Sequence, residues 1–338
     1  MLAVRIPYFL SQSHPLMMRS LLLFSLLLFG LTSFAQTKQV LVAQDGSGNY
    51  RTVQAALDAV PKNNRTLITI FIRKGVYKEK LNLAKKQNFV RLLGEDKQST
   101  VLTYDDYNGR ASAAGEPLGT SEAASFRVFG NDFVAENLTF ENTATQGQGP
   151  AMWVYGDKAQ FRNCRFLGSR DTLYPYGYGS RQYYKNCYIE GTTDFILGSA
   201  TAWFEECTLF CKEGSACIMA PSTPDSVRYG FVLQRCKIEG DASASSVFIA
   251  RPWKPFAKAV LLNCELSAAI KPKGWDHWGK ESNKQTAYYA EYQSTGPGAA
   301  PKSRVSWSHQ LTAAEAQQYT RDRVLHGWQP AASGTGSK

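Results

Sequence analysis

The chain has 338 residues, 43% hydrophobic and 12% aromatic, which is enough apolar material for a sizeable core, so disorder along the whole chain is excluded. Seven Cys are too few for a disulfide-dense mini-scaffold. Thirty-eight Lys and Arg against 28 Asp and Glu give a net charge of +10, which suits an acidic partner: nucleic acid, anionic membrane or acidic polysaccharide.

The chain opens on a leader pattern. Arg19 precedes the uncharged run Leu21 to Leu31, and small residues stand at Ser33 and Ala35. A basic flank, a short apolar run and small residues at the end predict a secretory signal cleaved after Ala35. Met17 and Met18 are alternative starts. The run is short for a bilayer span, and no Cys near the cut offers a lipid anchor. The other reading is a buried core helix. Residues 1–35 hold two Arg and no acid, so the remainder carries +8. An exported protein, secreted or periplasmic, is a poor nucleic-acid partner and a good one for extracellular polymer. Export also permits disulfides.

Asp45-Gly-Ser-Gly48 reads as a turn. Thr52 to Val60 (TVQAALDAV) predicts a short amphipathic helix stopped by Pro61 and covering the open end of a strand repeat. Six segments of that repeat align: VAENLTF (134–140), FRNCRF (161–166), YKNCYI (184–189), FEECTL (204–209), LQRCKI (233–238) and LLNCEL (261–266). Each places Leu138, Cys164, Cys187, Cys207, Cys236 or Cys264 at one fixed position, at spacings of 26, 23, 20, 29 and 28. Each reads as one half-buried strand. Short strands repeating without crossover helices predict an all-β parallel β-helix, one coil per repeat, with like residues stacked about 4.8 Å apart. The aligned Cys then pack inward as a ladder. Cys187 with Cys207, or Cys211 with Cys217, are also placed to form bridges, and the odd count leaves a thiol over. Toward the end, Leu311 to Tyr319 predicts a helix with Thr312 as N-cap and Glu315 three residues on. No linker divides 36–328, and 329–338 is an Ala/Gly/Ser-rich tail expected to fray.

GxSxG, HExxH, CxxC and a Gly-rich phosphate loop after a strand do not occur in the sequence. With three His beyond the leader and no zinc spacing, neither a metal nor a cofactor is expected. Carboxylates remain. Asp171, in Gly168-Ser-Arg-Asp-Thr-Leu-Tyr174, and Asp194, in Gly191-Thr-Thr-Asp-Phe-Ile-Leu-Gly198, are 23 apart, and each lies seven past a repeat Cys. They therefore hold one place on successive coils and are neighbours in space. Two close carboxylates drive their pKa values apart, which makes an acid and a nucleophile or base. The alternative is a pair of turn aspartates bonding their own backbone. In Ala250-Arg-Pro-Trp253, Arg251 can pair with a carboxylate and Trp253 can stack on a sugar, or the two are an ordinary surface Arg and core Trp. Gln148 can donate to an oxyanion. Tyr174, Tyr176 and Tyr178 are stacking candidates, or pack under a loop.

Together these segments resemble the pectin methylesterase (pectinesterase) family. The resemblance runs from about Val40 to Trp328 and is carried by TVQAALDAVP, Gly75-Val-Tyr-Lys-Glu79, Gln148 to Met152, Gly168 to Tyr174, Asp194 to Gly198 and Arg251-Pro-Trp253. Gly274-Trp275, Tyr289-Ala-Glu-Tyr292 and Gly296-Pro-Gly-Ala299 add to it. It implies a right-handed parallel β-helix and metal-free hydrolysis of galacturonate methyl esters in pectin to carboxylate and methanol. It also implies that Asp194 is the nucleophile, Asp171 the acid and then base, and that Arg251 holds Asp194. Trp253, Tyr174 and Thr120 fall on the substrate side. Cys187 and Cys207 match positions that the family can bridge.

Three residues depart from the pattern. Arg170 stands where the family usually has Gln, Gly149-Pro150 where Ala-Val is commoner, and Leu197 where Phe is usual. Arg170 can serve the oxyanion, bind a neighbouring galacturonate carboxylate, or lower the pKa of Asp171 and spoil it as an acid. A monomer is expected. The rival readings are an esterase for another acylated uronide, a β-helix glycosidase or lyase, and a non-catalytic polysaccharide binder.

Overall fold

The computed structural model describes residues 2–3 and 38–331, so nearly all of the expected leader, including its cleavage point, lies outside the described residues. The chain divides into two units, Met1–Thr37 and Lys38–Lys338, and the second holds every strand and helix among the described residues. None of those helices is long and apolar enough to cross a membrane.

Successive strands do not lie side by side. Ala159–Arg162, Arg165–Leu167 and Leu173–Pro175 enter three different sheets, and Arg181–Lys185 then returns to the first, beside Ala159–Arg162. Repeated along the chain, this winding builds parallel sheets of eleven, eight and seven strands among the described residues. The result is the single-stranded, right-handed parallel β-helix expected from the sequence, its hand that of nearly all parallel crossovers.

The six aligned segments are corners, and here the sequence expectation of one strand each is corrected. Val134–Glu136 belongs to the eleven-stranded sheet and Thr139–Asn142 to the eight-stranded one; the break falls between them at Asn137. Asn137, Asn163, Asn186, Glu206, Arg235 and Asn263 all have φ between 49° and 56°. One left-handed residue turns the chain, and Asn tolerates that conformation better than most. The next residue points inward as the repeat requires: Leu138 and the five Cys are buried. Each Cys thiol also donates to a carbonyl of the preceding coil, as Cys187 Sγ does to Phe161 O (3.7 Å) and Cys207 Sγ to Tyr184 O (3.5 Å). All seven Cys are free thiols, so neither Cys187–Cys207 nor Cys211–Cys217 is bridged.

Like residues stack along the interior. The rings of Phe161, Tyr184 and Phe204 lie 4.8 and 4.6 Å apart, nearly parallel. Removing the terminal ring opens a cavity that close packing cannot fill. Phe204→Ala is expected to lower the unfolding free energy by about 3–5 kcal/mol, read by denaturant titration.

Both ends are closed. Near the N-terminal end the helix Val53–Asp58 buries Val53, Ala56 and Leu57, with the Thr52 side chain accepting from Ala55 N. Glu79, from the Gly-Val-Tyr-Lys-Glu segment, accepts from Val53 N and Gln54 N at 2.9 Å each, so a coil carboxylate holds the helix start. Near the C-terminal end Glu291 takes the place after Leu261 in the interior register. Arg304, almost fully buried, donates to both Glu291 oxygens (2.6 and 3.3 Å) and to three backbone carbonyls.

The C-terminal helix is shorter than expected. The Thr312–Glu315 capping box forms, but the helix covers only Ala313–Ala316. Thr320 then caps a second short helix, Arg321–Val324, which the sequence reading missed. A fresh N-cap restarts the chain while Tyr319 packs edge-on against Tyr229. Val324 and Leu325 cluster with Tyr183 and Trp203 on the eleven-stranded sheet. The tail is tied down as far as Ala331, whose carbonyl accepts from Gln160 Nε2 (3.1 Å) and from Arg162. Residues 332–338 lie outside the described residues.

Candidate active site

The seven-stranded sheet carries the cleft. Along it Trp153 pairs with Tyr174, and Leu197 pairs with Ala220 one coil further on. These side chains gather in an apolar cluster outside the main core, with Phe129, Tyr176 and Trp278 packed against it. At one edge of this floor stand the polar groups: Thr120, Gln148, Arg170, Asp171 and Asp194, faced by Trp253.

Asp171 and Asp194 sit on adjacent coils, as their spacing predicts. Leu173 pairs with Ile196, again 23 apart, and Asp171 N donates to Thr193 O (3.3 Å). Both aspartates have positive φ, 65° and 52°. At Asp194 the register shifts: Thr193 pairs with Cys217 but Ile196 with Met219, so one extra residue bulges out of the strand. A bulge re-aims a side chain, and here it marks the place where Asp194 leaves the regular pleat. Gly198 explains the end of that segment. Its φ is +132°, and a Cβ there would stand 2.0 Å from Pro175 O.

The two carboxylates live in different surroundings. Asp194 is buried, and Arg251 grips it with two hydrogen bonds, Nε to Oδ1 at 2.9 Å and Nη2 to Oδ2 at 2.5 Å. The Arg251 guanidinium also lies 3.9 Å over the Trp278 ring. A bidentate pair backed by a cation–π contact fixes the carboxylate in one orientation. Asp171 has no such clamp. It is buried, its Oδ2 has no hydrogen-bond partner, and Arg170 Nε is 3.8 Å from its Oδ1. Burial, and after it the charge of Asp194, push Asp171 up to about 7, against the pull of Arg170 and Arg251. Thus Arg170 stands beside Asp171 without carrying it into the ordinary carboxylate range.

A chain of hydrogen bonds orients Gln148. Asn108 Nδ2 donates to Thr120 Oγ1 (2.7 Å), and Thr120 Oγ1 donates to Gln148 Oε1 (3.0 Å). Asn108 N also donates to Gln148 O (2.9 Å). With its oxygen taken, the Gln148 amide presents its N–H groups as the remaining polar edge.

Trp253 is 38% exposed and meets Tyr174 edge-on at 6.0 Å. Of the three tyrosines, Tyr174 is buried in the cleft wall and Tyr176 stacks on Trp153 (5.8 Å). Tyr178 turns to solvent, its hydroxyl 2.6 Å from Ser226 Oγ. Sequence reasoning missed Trp278, Trp153 and Asn108. Trp278 follows Trp275 by three residues, and a second Trp in the loop between the strands Glu265–Leu266 and Tyr288–Tyr292 was the available signal. Asn108 lies in a loop with no periodicity and gave none. Among the described residues no group of three or more His, Cys, Asp or Glu is placed to hold a metal ion.

Comparison with known proteins adds the context. The Pectinesterase family model matches residues 39–328. The chain is 38% identical to Pectinesterase 31 of Arabidopsis thaliana over 291 residues, 84% of this chain and 91% of that one. Some curated relatives are longer: the chain covers 53% of Probable pectinesterase/pectinesterase inhibitor 23 of Arabidopsis thaliana, at 35% identity over 86% of its own length. Among solved structures it is similar to a pectin methylesterase from carrot, with TM-score 0.80, 32% identity and coverage of 87% and 95% of the two chains. It is also similar to a pectin methylesterase in complex with a hexasaccharide, with TM-score 0.79, 29% identity and coverage of 88% and 100%.

Proposed function

Because the chain belongs to the pectinesterase family, we propose that it removes methyl esters from the galacturonate units of pectin, releasing methanol. One observation carries the chemical reading. Two carboxylates hold one place on adjacent coils, one clamped by two hydrogen bonds from Arg251 and the other, without such a clamp, pushed up to about 7. That is a nucleophile beside an acid.

Asp194 attacks the ester carbonyl. The carbonyl oxygen becomes an oxyanion, which the Gln148 amide stabilises. As the intermediate collapses, Asp171 gives its proton to the departing methoxy oxygen, and methanol leaves. The acyl-enzyme is a mixed anhydride between Asp194 and the uronate. Asp171, now ionised, takes a proton from water, which attacks the galacturonyl carbon and frees Asp194. The product forms as the carboxylic acid, which gives its proton to solvent and leaves as the carboxylate, and the initial protonation states of both aspartates return. Trp253, Tyr174 and Thr120 line the sugar-binding side. The net positive charge draws in partly hydrolysed, anionic polymer, an attraction that weakens with salt. The same reading has the chain exported, residues 1–35 removed, and acting as a monomer; the leader pattern supports the export.

The test is methanol release from highly methylated pectin by the protein from Gln36 onward, with chelator present and reducing ends counted in parallel. Methanol without new reducing ends is the expected result. Reducing ends or unsaturated products without methanol would move the assignment to chain cleavage, and neither would leave a binder. Gln148→Ala is expected to lower kcat by about 10²–10³-fold with little change in KM, because its donor acts mainly as charge develops.

A further inference from the structure

One guanidinium in the cleft keeps its donors unspent. Arg170 lies between the strands Arg165–Leu167 and Leu173–Pro175, and its carbonyl accepts from Gly149 N at 3.4 Å. Its side chain is 49% exposed. Its one ion-pair partner among the described residues is Asp171, and 3.8 Å is too long for a hydrogen bond. Arg251 is the contrast, with two hydrogen bonds to Asp194 and an indole beneath it. Arg170 thus brings a free, planar, bidentate donor to the edge of the catalytic pair.

The surroundings favour one use of it. An oxyanion donor has to be fixed in advance at the point where charge develops. Gln148 meets that condition, held through Thr120 by Asn108. Arg170 has no such anchor and stands half in water. An unanchored guanidinium suits a ligand that arrives with its own full charge and two coplanar oxygens. The polymer of the proposed reaction carries such groups wherever an ester has already been removed.

We propose that Arg170 is a specificity residue that binds the free carboxylate of a galacturonate unit next to the reacting ester. This rests on the pectin reading. Each turnover then makes the group that Arg170 recognises. Hydrolysis runs into neighbouring units and leaves contiguous stretches of free acid.

The experiment compares two oligogalacturonates, one fully methyl-esterified and one with a single free carboxylate, for the parent, Arg170→Gln and Arg170→Lys. It is run near pH 5.5, where Asp171 holds its proton and the substrate carboxylate is ionised. The readout is the ratio of kcat/KM between the two substrates. The parent is expected to prefer the carboxylate-bearing substrate by about tenfold or more, mostly through KM, as a charge-assisted pair provides. Arg170→Gln brings the ratio close to one, and Arg170→Lys keeps part of it. An equal fall on both substrates in Arg170→Gln would overturn the proposal and make Arg170 an oxyanion donor. An unchanged ratio without any fall would remove it from substrate recognition. A second arm measures binding of unesterified trigalacturonate by calorimetry, which needs no turnover. Weaker binding by Arg170→Gln supports the proposal, and equal binding opposes it. A parent that binds trigalacturonate through Arg170 yet releases methanol from neither substrate would sink the esterase reading alone.

Discussion

Asp194→Asn is expected to lower methanol release by about four orders of magnitude or more, the scale on which single catalytic groups of a covalent mechanism act. The amide is close to the carboxylate in size but cannot form the acyl bond. Asn also accepts the left-handed backbone at this position, φ 52°, so the bulge survives the change. Arg251 loses its ionic partner but keeps the Trp278 face. Loss of activity therefore comes without loss of fold, which circular dichroism and a thermal melt check. One further readout separates a nucleophile from a structural residue. The charge of Asp194 helps to raise Asp171, so in Asp194→Asn the Asp171 carboxyl titrates below its parental value of about 7. A carboxyl-labelled NMR titration shows this directly. An Asp194→Asn protein that still turns over at the parental rate would exclude Asp194 as the nucleophile.

Asp171 yields the second large effect, and it appears in pH as well as in rate. In the proposed mechanism its proton serves acylation, so kcat/KM of the parent is expected to fall as pH rises through about 7, approaching tenfold per pH unit beyond. Asp171→Asn is expected to lose about 10²–10⁴-fold in rate and, with it, this alkaline limb. The stability of the parent also falls with rising pH. The folded state holds this proton more tightly than the unfolded chain does, so it binds more protons between 3.8 and about 7. Stability is complete below about pH 4 and drains as pH rises to about 7. The rise from 3.8 to about 7 corresponds to about 4 kcal/mol. Asp171→Asn has no such charge to bury. Its stability relative to the parent is expected to improve by a few kcal/mol between pH 4 and pH 8, read by urea unfolding at both. A pH-independent difference would show that Asp171 is ionised in the folded protein at neutral pH.

The coil period was legible in the sequence because inward positions recur. Cys164, Cys187, Cys207, Cys236 and Cys264 repeat wherever a small side chain must pack against its copy on the next coil. The corners were not legible. One left-handed residue between two short strands leaves an apolar/polar alternation that reads as one continuous strand, and only Asn163, Asn186 and Asn263 before their Cys mark the bend, with Glu206 and Arg235 giving no such sign. The candidate carboxylate pair was legible for the same reason as the coils: Asp171 and Asp194 share the spacing of the repeat. What the spacing could not supply was the difference between them. That comes from Arg251, 57 residues beyond Asp194, and from a burial that overrides the adjacent Arg170. Trp278 and Asn108 reach the site from loops outside the repeat, where no period constrains them.

The corner repeat has a consequence for how the chain tolerates changes in length. The Cys positions are 20 to 29 residues apart, so coils of quite different length stack in one register. Added or lost residues are absorbed in the connecting loops, such as 212–216, and leave the ladder intact. Between Leu173 and Thr193 the latitude ends where the strands begin, because both Asp171 and Asp194 are fixed by pairing on adjacent coils. An insertion in the turn near Tyr178 lengthens a loop. The same insertion inside Tyr188–Gly191 turns every following side chain of that strand to the opposite face and carries Asp194 away from Asp171. The fold thus permits variation in length around most of its circumference and forbids it along the strands that hold the two carboxylates together.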